Sequence, residues 1–269
     1  MSFPAALAVT VRPAPDPAAA SVILVHGSLD RAESFRRVTR RLPDLTTVAY
    51  DRRGYQGSRA GGVVDLGGHI ADLVEVAAEV RSLGSGPLVA IGHSLGGAVV
   101  VGAALAEPRA FDAIGAFEPP MPWLGFRRTA PGDDRPGGWS PLAEDPDEEV
   151  ERFFSRMVSA SAWERLTDEG RASRRADGPA LVADLTGIRG SIPFDVMALE
   201  VPVLFGMGGL GAEHHRRTVT WLGQHVPGAA AIEIEGAHHG GHLSHPDHFA
   251  AFIREVVALA TAGSGAPSI

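Results

Sequence analysis

The sequence predicts an α/β protein: a mostly parallel, doubly wound sheet carrying an inserted helical lid. Short apolar runs alternate with longer segments of helical period, the pattern of a sheet covered by helices on both faces. The runs lack polar alternation, as expected of strands buried on both faces. The alternation stops once, between residues 119 and 200, and resumes at Val201.

The strand candidates are Ala8–Val11, Val22–Val25, Thr47–Tyr50, Leu88–Ile91, Ala113–Phe117, Val203–Phe205 and Ala231–Ile234. Helix candidates lie between them at 32–42, 65–83, 96–106, 212–225 and 247–261. In the second of these, Leu66, Ile70, Leu73, Val76, Ala77 and Val80 form one apolar stripe. The interrupting block opens with a Pro/Gly-rich stretch from Pro119 to Pro146. Helical patterns follow, starting at Pro146–Glu149 and covering Ala162–Ala176 and Ala180–Ile188, and acidic residues at the first start suit the helix dipole. The expected organisation is therefore a core of 1–118 and 201–262, a helical lid of 119–200, and a flexible tail of 263–269 rich in Gly, Ser and Pro.

Composition narrows the function. The formal net charge of −8 argues against a nucleic-acid partner, which wants a basic face. Cysteine is absent, which excludes disulfides and thiolate metal sites. The first twenty residues have no basic start and contain four prolines, unlike a secretory signal or a membrane helix, so the expected setting is cytoplasmic. His242, His245 and His248 could share a helix face, but no carboxylate or cysteine pattern accompanies them. No metal and no cofactor is expected.

The strongest chemical signal is Gly92-His93-Ser94-Leu95-Gly96, a G-x-S-x-G directly after an apolar run and directly before a small-residue helix. A nucleophile at the top of a strand must turn sharply into the helix, and the flanking glycines permit the close backbone approach. The Leu95 amide, at the helix N-terminus, then faces a developing oxyanion.

Together with three further stations in order, this elbow resembles the α/β-hydrolase superfamily, in its serine esterase and haloperoxidase-like branch. The stations are His26-Gly27 after the strand Val22–Val25, the loop Asp51–Ser58, and a histidine near the C-terminus. The resemblance implies a nucleophilic Ser94, a structural His26, and a second oxyanion amide at Leu29, with Ser28 as the alternative. It also implies a catalytic histidine within Glu235–His242. Pro246 lies seven residues after His239 and Gly236 three before it, which favours His239 over His238.

The triad acid departs from the family pattern. The stretch Pro202-Val203-Leu204-Phe205-Gly206-Met207-Gly208-Gly209-Leu210-Gly211 puts Leu210 and Gly211 where the usual aspartate stands. Some families take the acid from the preceding strand, and here that strand ends in Glu118-Pro119-Pro120. Glu118 is the expected acid and Glu213 the alternative.

The lid residues Trp123, Phe126, Trp139, Phe153, Phe154, Met157 and Trp163 offer an apolar wall. Ser28, His93, Trp123, Phe153 and Met157 are the expected substrate contacts. The expected reaction is hydrolysis of an ester or related acyl bond of a small to medium apolar molecule through an acyl-enzyme on Ser94. Perhydrolase, thioesterase, lactonase and carbon–carbon bond hydrolase chemistries use the same site. A non-catalytic small-molecule binder of this fold is the rival from another class. Oligomeric state stays open.

Overall fold

The computed structural model describes residues 3–126, 141–189 and 194–263. Trp139 and the expected tail beyond residue 263 lie outside the described residues. In chain order the strands are β1 (Val9–Arg12), β2 (Ser21–Val25), β3 (Thr46–Tyr50), β4 (Leu88–His93), β5 (Ala113–Phe117), β6 (Val203–Gly208) and β7 (Ala229–Ile234). The helices are α1 (Arg36–Thr39), α2 (Leu66–Arg81), α3 (Leu95–Ala106), α4 (Pro146–Met157), α5 (Ala160–Glu164), α6 (Asp168–Arg175), α7 (Gly178–Arg189), α8 (Glu213–His225), α9 (Gly241–Ser244) and α10 (Pro246–Gly263).

The seven strands form one sheet in the order β1-β3-β2-β4-β5-β6-β7, with only the β1–β3 pairing antiparallel. All of β2, β4 and β5 is buried, which is why these runs show no polar alternation. Their side chains still alternate between layers. Ile23 and Val25 join α2, α3 and α8 on one face, whereas Val22 and Leu24 join Phe35, Val38, Phe249 and Phe252 on the other. The chain winds from β2 outward to β3, then returns across β2 to β4. Strand order thus reverses between β2 and β4, and the crevice outside their carboxyl ends is where such sheets bind ligands.

Helices α4 to α7 all fall between β5 and β6, and α4, α5 and α7 pack around Val150, Trp163, Leu181 and Leu185. Two sequence expectations need correction. The helix expected over 162–176 is two, because Thr167 stops the first and caps the second by accepting from the Gly170 amide at 3.1 Å. The helix expected over 32–42 is a 3-10 turn, Ala32–Phe35, followed by the single α-turn α1. Among the described residues no helix is long and apolar enough to cross a membrane.

Candidate active site

Ser94 occupies the one-residue joint between β4 and α3, at φ 53° and ψ −125°. A non-glycine residue held there costs about 1–3 kcal/mol, and it persists only where the surroundings over-determine it. The Ser94 amide donates to the Phe117 carbonyl at 2.9 Å, and the Gly97 amide donates to the Ser94 carbonyl at 2.8 Å. The motif glycines are required by contact: a Cβ on Gly92 would lie 2.1 Å from the Gly96 carbonyl oxygen, and one on Gly96 would lie 2.1 Å from that of Val25. The Leu95 amide opens α3, where the first turn has no intrahelical acceptors for its donors.

On the neighbouring strand, β5 delivers Glu118, fully buried and at φ 45°. Its amide donates to the Gly206 carbonyl at 2.8 Å. Its two carboxylate oxygens have separate partners: Oε1 accepts from the Gly208 amide at 2.9 Å, and Oε2 lies 2.5 Å from His239 Nδ1. A carboxylate there makes Nδ1 the protonated nitrogen, so Nε2 keeps its lone pair for a proton from elsewhere. His238 turns the other way, its Nδ1 on the Leu210 carbonyl at 2.8 Å, and is exposed. Glu213 begins α8 with an exposed side chain, 3.9 Å from Arg217. Of the sequence candidates, the fold brings together Glu118 and His239 and leaves out His238 and Glu213.

The glycines of the β6 loop also have a physical reason. A Cβ on Gly208 would meet the Ala237 carbonyl oxygen at 2.4 Å, and one on Gly211 would meet Glu118 Oε1 at the same distance. The loop that lacks an acid is thus shaped to admit one from the adjacent strand.

The loop after β2 rests on a buried ionic network. His26 Nε2 accepts from the Arg52 amide at 2.9 Å, so Nδ1 is the donor to the Gly27 carbonyl at 2.7 Å. Burial, and then the Arg52 cation, push the His26 pKa down to about 3, so the ring is neutral and structural. Fully buried Arg52 donates to the His26 and Gly27 carbonyls and, from both terminal nitrogens, to Asp184 of α7 at 3.1 and 2.7 Å. Burial alone would raise the Asp184 pKa, but the Arg52 cation and the polar contacts of Arg52 and His69 together override it and hold the carboxyl well below the usual range. Asp184 also accepts from Tyr55 Oη at 2.5 Å and from Ser28 Oγ at 2.8 Å. Neither Asp184 nor its link to this loop was foreseeable from the sequence, since nothing in a mostly apolar helix tells which distant groups a single carboxylate meets.

The expected second oxyanion amide, Leu29 with Ser28 as the alternative, lies in this loop, which runs close to Ser94, and Leu29 sits at φ 55°. Gly27 is the point of contact, where a Cβ would lie 2.9 Å from that of Ser94.

The model of the alpha/beta hydrolase family matches residues 22–252. The chain belongs to this family. Lipase LipV of Mycobacterium tuberculosis is 31% identical over 110 residues, which is 40% of this chain and 40% of the lipase. Among solved structures, the peroxisomal alpha-beta-hydrolase Lpx1 from Saccharomyces cerevisiae superposes with a TM-score of 0.69 at 16% identity, covering 97% of this chain and 83% of that one. A thermophilic esterase from Thermogutta terrifontis gives 0.66 at 18% identity, covering 94% and 93%. At these identities the two structures share its fold.

Two cavities of this alpha/beta hydrolase meet at Ser94. The first, about 90 Å³, reaches Leu95, Met121, Leu185, Ile188 and His215. The second, about 160 Å³, reaches Leu29, Asp30, His93, Phe154 and His242. Ser28, Ser94, Phe153, Met157 and His239 line both. Trp123 lines neither. Its ring packs edge-on against Phe194 at 5.5 Å, beside Leu95 and Ile188, so the expected Trp123 contact is corrected to a packing role. Phe126 and Trp163 line neither cavity either, and their rings pack against Trp221 and Phe154 respectively. His215, which the sequence reading missed, stacks on His239 with ring centroids 4.8 Å apart and 18° between planes. Among the described residues two groups could hold a metal ion: Glu118, His215 and His239, and Asp30, His93 and His242.

Proposed function

We propose that this protein is a serine hydrolase that cleaves an ester or related acyl bond of a small apolar substrate. Ser94 Oγ attacks the acyl carbon while His239 Nε2 takes its proton, giving a tetrahedral oxyanion. The oxyanion is held by the Leu95 amide and by a second amide of the loop after β2, that of Leu29 or, as the alternative, Ser28. His239 then returns the proton to the departing alcohol, leaving an acyl-enzyme on Ser94, and a water activated by the same nitrogen releases the acid. Glu118 keeps His239 in the Nδ1–H tautomer and stabilises the imidazolium. Helices α4 to α7 act as a lid that contributes Phe153, Met157, Leu185 and Ile188 to the pocket walls.

The observation behind this reading is the contact between buried Glu118 and His239 Nδ1. It gives the histidine the partner that the β6 loop fails to supply. The size of the substrate follows from the cavities, both below the roughly 300 Å³ at which pockets for drug-sized ligands begin. The two lobes on either side of Ser94 suit an acyl group and a leaving group.

Burst-phase hydrolysis of p-nitrophenyl acetate and butyrate tests the assignment. Ser94→Ala and His239→Ala should abolish the burst. Glu118→Gln should lower kcat by about 10⁴ with a smaller change in KM, the effect of removing a triad carboxylate elsewhere. Full activity in Glu118→Gln would move the acid to another group. Absence of both turnover and fluorophosphonate labelling in the wild type would favour a binding protein.

A further inference from the structure

Behind the His239 backbone lies a second set of ligating groups that the hydrolytic reading does not use. His93 is buried, and its Nε2 lies 2.8 Å from the His239 carbonyl oxygen. A carbonyl only accepts, so Nε2 is the protonated nitrogen and Nδ1 is a bare lone pair, without a hydrogen-bond partner. His242 is 1% exposed, and neither ring nitrogen makes a hydrogen bond. Its Nε2 nevertheless sits 3.2 Å from Asp30 Oδ2, close but off the hydrogen-bonding direction. The His93 and His242 rings are 4.2 Å apart, and one ligand atom from each of the three residues lies within 4.8 Å of the others.

We propose that Asp30, His93 and His242 form a binding site for a divalent transition-metal ion of the zinc type. Two neutral imidazoles and one carboxylate are a common donor set for such ions, and three protein ligands leave the fourth position open. With bonds of about 2.0–2.1 Å, ligand atoms of a tetrahedral site stand roughly 3.3 Å apart, close to the His242–Asp30 separation. The surrounding contacts fit as well. Ligating histidines normally donate their other ring N–H to a carbonyl or carboxylate, as His93 does to His239, and ligating carboxylates are themselves hydrogen-bonded. Asp30 Oδ2 accepts from Ser34 Oγ at 3.1 Å. The open position faces the 160 Å³ cavity shared with Ser94, so a water or a substrate oxygen could complete the ion's shell.

The test is metal binding by the full chain, read without an activity assay. After chelator treatment, equilibrium dialysis against Zn²⁺ should load one ion per chain. Asp30→Asn and His242→Gln should each weaken binding by at least the ~10–100-fold that losing an outer-shell partner costs. His239→Ala, which removes the ring of the other candidate cluster but keeps the carbonyl that holds His93, should bind as the wild type does. Co²⁺ loaded in place of Zn²⁺ should give the intense visible bands of a four-coordinate ion, a readout on the wild type that stands even if a buried substitution prevents folding. No retained ion in the wild type would overturn the proposal. Binding that survives Asp30→Asn but is lost in His239→Ala would overturn it as well, by moving the ion to Glu118, His215 and His239.

Discussion

Asp184→Asn isolates the ionic network under the loop after β2. The substitution keeps the side chain's shape but leaves the Arg52 cation without its counter-charge, in a pair whose side chains are 0% and 2% exposed. Removing one partner of a buried pair costs about 3–5 kcal/mol. For a chain of this size that lowers Tm by about 6–20 °C, taking roughly 2–4 °C per kcal/mol. The kinetic effect comes through position. Asp184 holds Ser28 directly, and Arg52 holds the His26 and Gly27 carbonyls on either side of the same peptide. Displacing this loop moves the oxyanion amide it carries, and complete loss of such a donor costs about 10²–10³ in kcat. Asp184→Asn should therefore lower kcat by about tenfold or more within that limit, measured with p-nitrophenyl acetate well below the transition temperature. Circular dichroism melts give the stability change. A Tm within 2 °C of wild type together with an unchanged kcat would refute the reasoning, because an uncompensated buried guanidinium cannot be neutral to both.

Gly211→Ala tests the close approach in the β6 loop. Its Cβ would lie 2.4 Å from Glu118 Oε1, so the carboxylate must retreat by several tenths of an ångström. Such misplacement of a positioning group should lower kcat about 10–100-fold with KM nearly unchanged, and steady-state kinetics equal to wild type would count against the contact. Acid should destabilise the protein well above the carboxylate range. His26 is neutral in the fold because its pKa is lowered to about 3, whereas in the unfolded chain it takes up a proton below about pH 6.5. Stability is then lost as pH falls through that window, by up to about 1.4 kcal/mol per pH unit from His26, and His93 shifts in the same direction. Urea titrations at pH 7, 6 and 5 should show the decline, and a flat profile would contradict the buried neutral rings.

Much of the fold was legible because burial writes itself into the sequence. Apart from Ser21 and His93 at their ends, β2, β4 and β5 are apolar since both faces are covered, and each begins within one residue of its expected start. Ser94 was legible because its backbone forces glycines at 92 and 96. The pairing of Glu118 with His239 was expected from the family resemblance, in which some members take the acid from the end of the strand before the loop that usually supplies it. What stayed hidden depends on which distant groups meet. The role of Asp184 turns on how α7 lies over the loop. Trp123 looked like a substrate contact because an aromatic residue at a pocket rim and one in a core read alike in sequence. His242 sat in a histidine-rich run whose spacing suggested His245 and His248 as companions. Its neighbours are instead Asp30, from the loop after β2, and His93, the last residue of β4.

The strain in the molecule has one geometric origin. Four described non-glycine residues have positive φ: Leu29, Gln56, Ser94 and Glu118. Three of them follow β2, β4 and β5, adjacent parallel strands that end at the same crevice. A residue continuing in extended conformation would send its side chain into one helical layer or the other, following the alternation of the strand. A left-handed residue at the strand end breaks that alternation and keeps Ser94 and Glu118 above the sheet, where they can share His239. At about 1–3 kcal/mol each, three such residues consume a sizeable part of a net stability of about 5–15 kcal/mol. The offsetting interactions lie directly beneath them. Ser94 and Glu118 donate their amides to the next strand's carbonyls, and the loop that carries Leu29 is tied through the Ser28 hydroxyl to Asp184. The fourth residue, Gln56, is held by Asp177 at the foot of α7, through its amide at 3.1 Å and its side chain at 2.5 Å. The helical block thus grips the core at two buried aspartates, each beside a strained turn, which couples its placement to the geometry of the crevice it covers.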